Sequence, residues 1–331
     1  MTPPMTSPMT PPKKTVRTVM KGERGSALLI VLWLLVLVSA IAVSMSGTTR
    51  VESRLAFNLV EEARARYLAQ AGINHAILTL LKPRAPRQRV MDGAAVTPID
   101  LFGVRLSIRI RDECGKVDLN TAWGGLIGGL LAGPRGQGGQ GGQGGQSGQG
   151  EQQAFDLTQA ILDWRDPDKI RRLRGAEDDD YAAAGMAYGA RDGLFETIEE
   201  LQQVRGMTES LYQRLSPDVT VDCLAAGIDP LAASPAVLAA LPGLTPPALE
   251  AFLRARREAV IGDKEVVIPT ALLGSKFVEA SLGDVFSIEA TVDSPSGNRV
   301  AWQAVVWLTG DPTRSFVVRS WRRVPAPAAD R

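Results

Sequence analysis

The sequence predicts an α+β protein: a long N-terminal helix packed on an antiparallel sheet, with an all-helical domain of helix hairpins inserted between two sheet-forming segments. Three observations predict it. A helical apolar pattern runs unbroken from Ser26 to Leu81, strand-like alternation stands on both sides of the chain's centre, and the region between repeats at helical spacing.

The first element follows from charge and hydropathy. Residues 1 to 12 are Met, Thr, Pro and Ser, which bury too little apolar surface to offset the entropy of ordering, so disorder is expected there. Lys13, Lys14, Arg17, Lys21 and Arg24 follow, against the single acid Glu23. Ala27 to Met45 then gives 19 residues without a charge, about the length of a helix that crosses ~30 Å of hydrocarbon. The basic flank predicts a cytoplasmic N-terminus and a globular part in the periplasm, on a single-pass inner-membrane anchor. The rival reading is a cleaved secretory signal, for which Ala40 and Ala42 supply an A-x-A pattern. The pattern does not stop there, however. Val51, Leu55, Leu59, Ala63, Tyr67, Ala71, Asn74 and Leu78 recur at spacings of three or four, with charges on the other faces. One helix from Ser26 to Leu81 would reach roughly 84 Å at 1.5 Å per residue, and Pro83 and Pro86 end it.

The remaining elements follow in order. Val104 to Ile110 alternates as a half-buried strand, and a turn-rich segment, Asp112 to Thr121, comes after it. Gly133 to Gly150 is almost wholly Gly and Gln, a low-complexity loop. Helices are expected near Phe155 to Trp164, Ile198 to Val204, Glu209 to Leu215, Pro235 to Leu241 and Pro246 to Glu258. Strands return at Phe286 to Val292, Arg299 to Leu308 and Phe316 to Arg322, the first two joined by a tight turn at Ser294 to Asn298. The expected division is a leader at 1–25, a transmembrane helix at 26–46, the two parts of the α/β domain at 47–122 and 259–325, a Gly/Gln loop at 123–150, the helical insert at 151–258 and a tail at 326–331.

Composition excludes several classes of function. With 37 basic and 36 acidic side chains among 331 residues the net charge is +1, so no chain-wide basic field exists to hold a nucleic acid. Two hairpins, Val204 to Leu215 and Leu241 to Leu253, have the Gly and capping Thr of helix-hairpin-helix phosphate binders. Only Arg205 adjoins the first turn and Pro242 the second, so both read as packing elements. The one histidine, His75, lies in the long helix and reads as a surface or packing residue. Cys114 and Cys223, without CxxC spacing, read equally as a disulfide in an oxidising compartment or as two buried thiols.

Seven carboxylates stand within the eighteen residues Asp163 to Asp180. Such crowding suits a hard cation that takes six to eight oxygens. A solvated acidic turn neutralised by Arg171, Arg172 and Arg174 explains the same composition. Nothing sets two of these carboxylates across a cleft in the apolar surroundings that raise a proton donor's pKa, so an enzyme is not expected.

Two sets of residues resemble a known family. The junction KGERG–SALLIVLWLLVLV resembles the class III leader of type IV pilins and type II secretion pseudopilins, which a prepilin peptidase cuts after the glycine, here Gly25, leaving Ser26 as the first residue. Ile30 then stands where most pilins carry a glutamate, a departure that fits a subunit with nothing above it. The ordered segments DECGKVDLNTA, ILDWRDPDKIRRLRGAEDDDY, IEELQQVRGMTESLYQRLSPDVTV and SPAVLAALPGLT resemble the general secretion pathway protein K family, the large minor pseudopilins, over residues 20 to 325 or so. The resemblance implies a pilin-like domain interrupted by a SAM-like helical domain, and a cap on the pseudopilus tip in complex with the minor pseudopilins I and J, above the major pseudopilin. It also implies calcium in the acidic loop, for which Asp166, Asp168, Glu177, Asp178 and Asp180 are the expected ligands. The alternative is a minor pilin of a type IV pilus or DNA-uptake system.

Overall fold

The structure is a computed structural model. It describes residues 26–82, 96–101, 103–133, 146–262 and 299–327 and, between 263 and 298, residues 266, 268, 269, 272, 275–279 and 284–293. Gly25 and the turn at Ser294 to Asn298 lie outside the described residues.

The first helix, α1, covers Ser26–Leu81. The chain divides at Glu61/Glu62 into two units. In the first, Leu28 through Val38 are all exposed apolar side chains, interrupted by no charge. Among the described residues, no helix is long and apolar enough to cross a membrane.

The second unit has two cores. One forms where α1 lays Ala65, Ala69, Ile73, Ala76 and Leu80, with Leu68 and Ile77, on one face of a five-stranded sheet. That spacing of three and four is a single stripe on the helix. The strands are β1 (Val96–Leu101), β2 (Val104–Asp112), β5 (Val285–Asp293), β6 (Arg299–Leu308) and β7 (Phe316–Val324). They stand in the order β1-β2-β5-β6-β7, every neighbouring pair antiparallel. Leu106, Ile108, Ile288, Ala290, Ala304 and Val306 meet the helix, whereas Arg109, Glu289, Gln303 and Arg322, in register with one another, share the opposite face. One packed face and one polar face is the ordinary solution for an antiparallel sheet. Arg323 pairs with Glu62 at 2.9 Å and the Arg66 guanidinium lies 5.5 Å from the Trp302 ring, which ties the rim of the sheet to α1.

The second core belongs to the helical insert between β2 and β5. Its elements are a 3₁₀ turn at Glu113–Gly115, β3 (Val117–Asp118), α2 (Gly124–Ala132), α3 (Gln146–Arg165), α4 (Asp178–Ala183), a 3₁₀ turn at Ile198–Gln203, α5 (Glu209–Leu215), β4 (Val219–Thr220), α6 (Pro235–Ala239) and α7 (Pro246–Gly262). Strands β3 and β4 form a separate two-stranded parallel sheet.

The insert is larger than the sequence boundaries of 151 and 258. Val117, Leu119, Leu126 and Leu130 before it, and Ala259, Val266 and Leu272 after it, all join the helical core and not the sheet's. Residues 124–132, expected as loop, form α2 because Leu126, Ile127, Leu130 and Leu131 stack on one side and find partners there. The glycines inside α2, normally unfavourable, serve close packing: a Cβ on Gly129 would stand 2.1 Å from the Ala240 carbonyl oxygen.

Candidate functional site

Two polar constructions stand out in the second unit: the neck where the insert leaves the sheet, and the acidic loop between α3 and the 3₁₀ turn at Ile198–Gln203.

At the neck, the segment DECGKVDLNTA is used almost residue by residue. The Asp112 carboxylate accepts from the Cys114 N–H at 2.9 Å. Buried Glu113 receives Lys116 Nζ at 2.5 Å and the Thr220 hydroxyl at 2.5 Å, so its carboxyl is held below the usual range despite burial. Cys114 and Cys223 are joined in a disulfide, with Cα atoms 5.1 Å apart. Asp118 accepts from the backbone of Asn120 and of Leu224, both at 2.8 Å. The Asn120 side chain both donates to the Phe195 carbonyl, at 3.0 Å, and accepts from its N–H, at 2.8 Å. Arg165, at the end of α3, reaches back to the carbonyls of Leu119 and Ala122. Asp112, Asp118, Asn120 and Arg165 thus supply backbone groups with partners that a two-residue strand cannot, while Glu113 is held by side chains alone. Asp112 itself lies close to Asp229, Glu113 and Asp284, and burial, reinforced by those charges, pushes its carboxyl up to about 7.

The acidic loop begins at the end of α3. Asp163 is fully buried and takes the Arg172 N–H and guanidinium, the latter at 2.9 Å. The same guanidinium contacts Asp166. Gly175 is required where the chain turns back, since a Cβ there would stand 1.9 Å from Asp163 Oδ2. Lys169 Nζ lies between Asp178, at 2.9 Å, and Asp192, at 3.5 Å. Asp192 is in the left-handed region, at φ 52°, immediately before Gly193. At the centre is Glu177, 7% exposed, with neither carboxylate oxygen hydrogen-bonded. Burial, then the charges of Asp163, Asp192, Asp166 and Asp178, push its carboxyl up to about 7. Asp166 Oδ1 and Asp192 Oδ1 are likewise buried without a partner. Trp164, Tyr181, Tyr188 and Phe195 pack ring on ring beneath the loop, with centroids 5.7 to 6.4 Å apart.

Of the five residues expected to hold a cation, the loop brings Asp166 and Glu177 to this centre with oxygens free. Asp178 stands beside them but is paired with Lys169. Asp168 is on the outside, accepting from the Ile170 N–H at 2.8 Å. Asp180 is paired with Arg171 at 2.8 Å and accepts from the Glu177 N–H at 3.1 Å. Asp192, outside the sequence cluster, also stands near Glu177, and the positive-φ bend before a glycine was its only signal. Among the described residues no three carboxylates, histidines or thiols stand close enough to bind a metal ion as placed. The donor types fit a hard cation in their chemistry, and four carboxylate oxygens, on Asp166, Glu177 and Asp192, are buried without a partner. Lys169 and Arg172 occupy the remaining acceptors.

Residues 145–222 match the family model for type II secretion system (T2SS), protein K. The type II secretion system protein K of Pseudomonas aeruginosa is 27% identical over 269 residues, covering 77% of this chain and 79% of that protein. The protein K of Aeromonas hydrophila is 28% identical over 60% of this chain and 63% of its own length. Among solved structures, a chain of the GspK-GspI-GspJ complex from the enterotoxigenic Escherichia coli type 2 secretion system shares the fold, at a TM-score of 0.53 and 16% identity, over 84% of this chain and 99% of that one.

Proposed function

We infer that this chain, which belongs to the type II secretion system protein K family, is a minor pseudopilin: a structural subunit of the secretion apparatus that caps the pseudopilus and helps start its assembly. The observation that carries the reading is the insert itself, a complete helical domain with its own core between two neighbouring strands of a helix-on-sheet domain. Bulk on that scale favours a terminal position, where nothing need stack above.

The membrane anchor proposed is the N-terminal part of α1. In water, eleven consecutive exposed apolar side chains, Leu28 to Val38, have no cover. Burying them in lipid beside the helices of sister subunits removes that cost. Prepilin peptidase would cut between Gly25 and Ser26, leaving a single-pass inner-membrane protein with its globular unit in the periplasm, an oxidising compartment suited to the Cys114–Cys223 bond. The I and J minor pseudopilins are the proposed partners, because the related Escherichia coli chain was solved in complex with GspI and GspJ. The major pseudopilin is the proposed neighbour below.

For the acidic loop we propose calcium, held by Asp166, Glu177 and Asp192 with Asp178 alongside. The ion supplies the positive charge that four crowded carboxylates lack. The chain's own contribution is to bury those oxygens over the aromatic cluster and to leave Lys169 and Arg172 as the counter-charges the ion displaces.

The test is processing and secretion together. Gly25→Ala is expected to leave the precursor uncut, seen as a larger band, and to stop export of secreted proteins. Normal export by an uncut chain would refute the role.

A further inference from the structure

A cleft of about 680 Å³ lies between the polar face of the sheet and the insert, walled on one side by β2, β5, β6 and β7 and on the other by the 3₁₀ turn at Ile198–Gln203, α5 and β4. Six cationic and five carboxylate side chains line it. Every carboxylate is already matched: Glu113 by Lys116, Glu289 by Arg109 at 3.6 Å, Asp222 by Arg319 at 3.4 Å, Glu199 by Arg322, and Glu196 by Arg191 at 2.5 Å. Arg323 is matched from outside by Glu62. The remaining cation is Arg111, half-buried on β2, whose guanidinium has no ion pair or hydrogen bond among the described residues. A half-buried guanidinium without a counter-charge is best complemented by a carboxylate.

We propose that this cleft binds an extended peptide segment of a partner protein through one acidic side chain paired with Arg111. Charge complementarity selects the occupant. A polyanion such as a nucleic acid would set its further phosphates against five carboxylates, whereas one negative charge neutralises the one cation left over. The rest of the lining suits a peptide. Gln303 on the sheet and Thr197 opposite offer polar groups to a backbone, and Val221 and Val305 offer apolar contact between them. The volume is within the range of sites that enclose a ligand of a few residues' size. Arg322 with Glu199 and Arg319 with Asp222 cross from the sheet to the insert and hold the two walls together.

The test uses the full chain in detergent, titrated calorimetrically with the N-acetylated, C-amidated peptide Ser-Val-Glu-Val-Ser and with its Gln counterpart. Saturable binding of the Glu peptide is expected. Replacing Glu by Gln in the peptide, or Arg111→Gln in the protein, is expected to weaken it at least about tenfold, and the two changes together to cost little more than either alone. Arg105→Gln, on β2 but paired with Asp100 away from the cleft, should leave binding unchanged. Equal binding of the Gln peptide, indifference to Arg111→Gln in a variant that melts like the parent, or no saturable heat would overturn the proposal. Competition by free acetate at concentrations equal to the peptide's would also overturn it, by reducing the cleft to a small-anion site.

Discussion

Single carboxylates in this molecule carry more of its chemistry than their number suggests. Asp112 is the clearest case for pH. Its folded pKa, about 7, stands above its ordinary value of 3.8, so between those limits the native state holds a proton that the unfolded chain has lost. Its contribution to stability is full below the unfolded value and is lost as pH rises through the folded one. Asp112→Asn keeps an acceptor for the Cys114 N–H, and its melting temperature should fall less than the parent's between pH 5 and 8. An unchanged slope in the variant would count against the assignment. For calcium, Glu177→Gln and Asp192→Asn are each expected to remove most of the calcium-dependent rise in melting temperature, and Asp168→Asn to leave it intact. Equal loss in all three would mean that general charge, and not the buried centre, sets the response. The sequence made the acidic loop visible but not its geometry. Asp168 is engaged by a turn and Asp180 by an arginine, while Asp192, fourteen residues beyond Asp178, stands near Glu177 at a bend that composition does not announce.

Among elements, legibility followed length. The long helix and the strands β2, β5, β6 and β7 are each set by a sustained apolar period, and the structure has them near the residues that period marks. Strand β1 escaped because Pro98 interrupts it, which an edge strand tolerates. Strands β3 and β4 are two residues long, too short to show any period. Helix α2 was hidden by glycines whose use is apparent only once Ala240 is seen against them. Gly129→Val should therefore cost stability well beyond the ~1–3 kcal/mol typical of overpacking, because the obstacle is backbone. At the neck, the Cys114–Cys223 bond closes a span of 109 residues, and its loss in Cys223→Ser should destabilise the insert by about 4–5 kcal/mol on a chain-entropy account. Thermal unfolding with and without reductant measures this: the parent should fall to the variant's level, and the variant should not respond.

For the molecule as a whole, the helical and sheet cores are separate yet joined through a few buried polar contacts, so the two are expected to melt in distinct steps once the neck is weakened. Calorimetry of Arg319→Gln with Arg322→Gln, which removes the ion pairs from β7 to Asp222 and Glu199 of the insert, should broaden or split the transition. At the other end, Leu32→Arg with Val36→Arg should release the chain from the membrane fraction on alkaline extraction if the exposed apolar run is the anchor.

The pairing of β2 with β5 has a consequence in time. Asp112 lies opposite Phe286, so the sheet closes only after about 170 intervening residues have been made and delivered. Until then β1 and β2 are an isolated hairpin, and Ile73 and Ile77 face water. The insert, sealed by its own bridge, needs none of this and can reach its native form first. Newly exported chains should then pass through a stage with a finished head and an open base, in which trypsin cuts after Arg105 and Arg109 while the segment from Gln146 to Val219 resists.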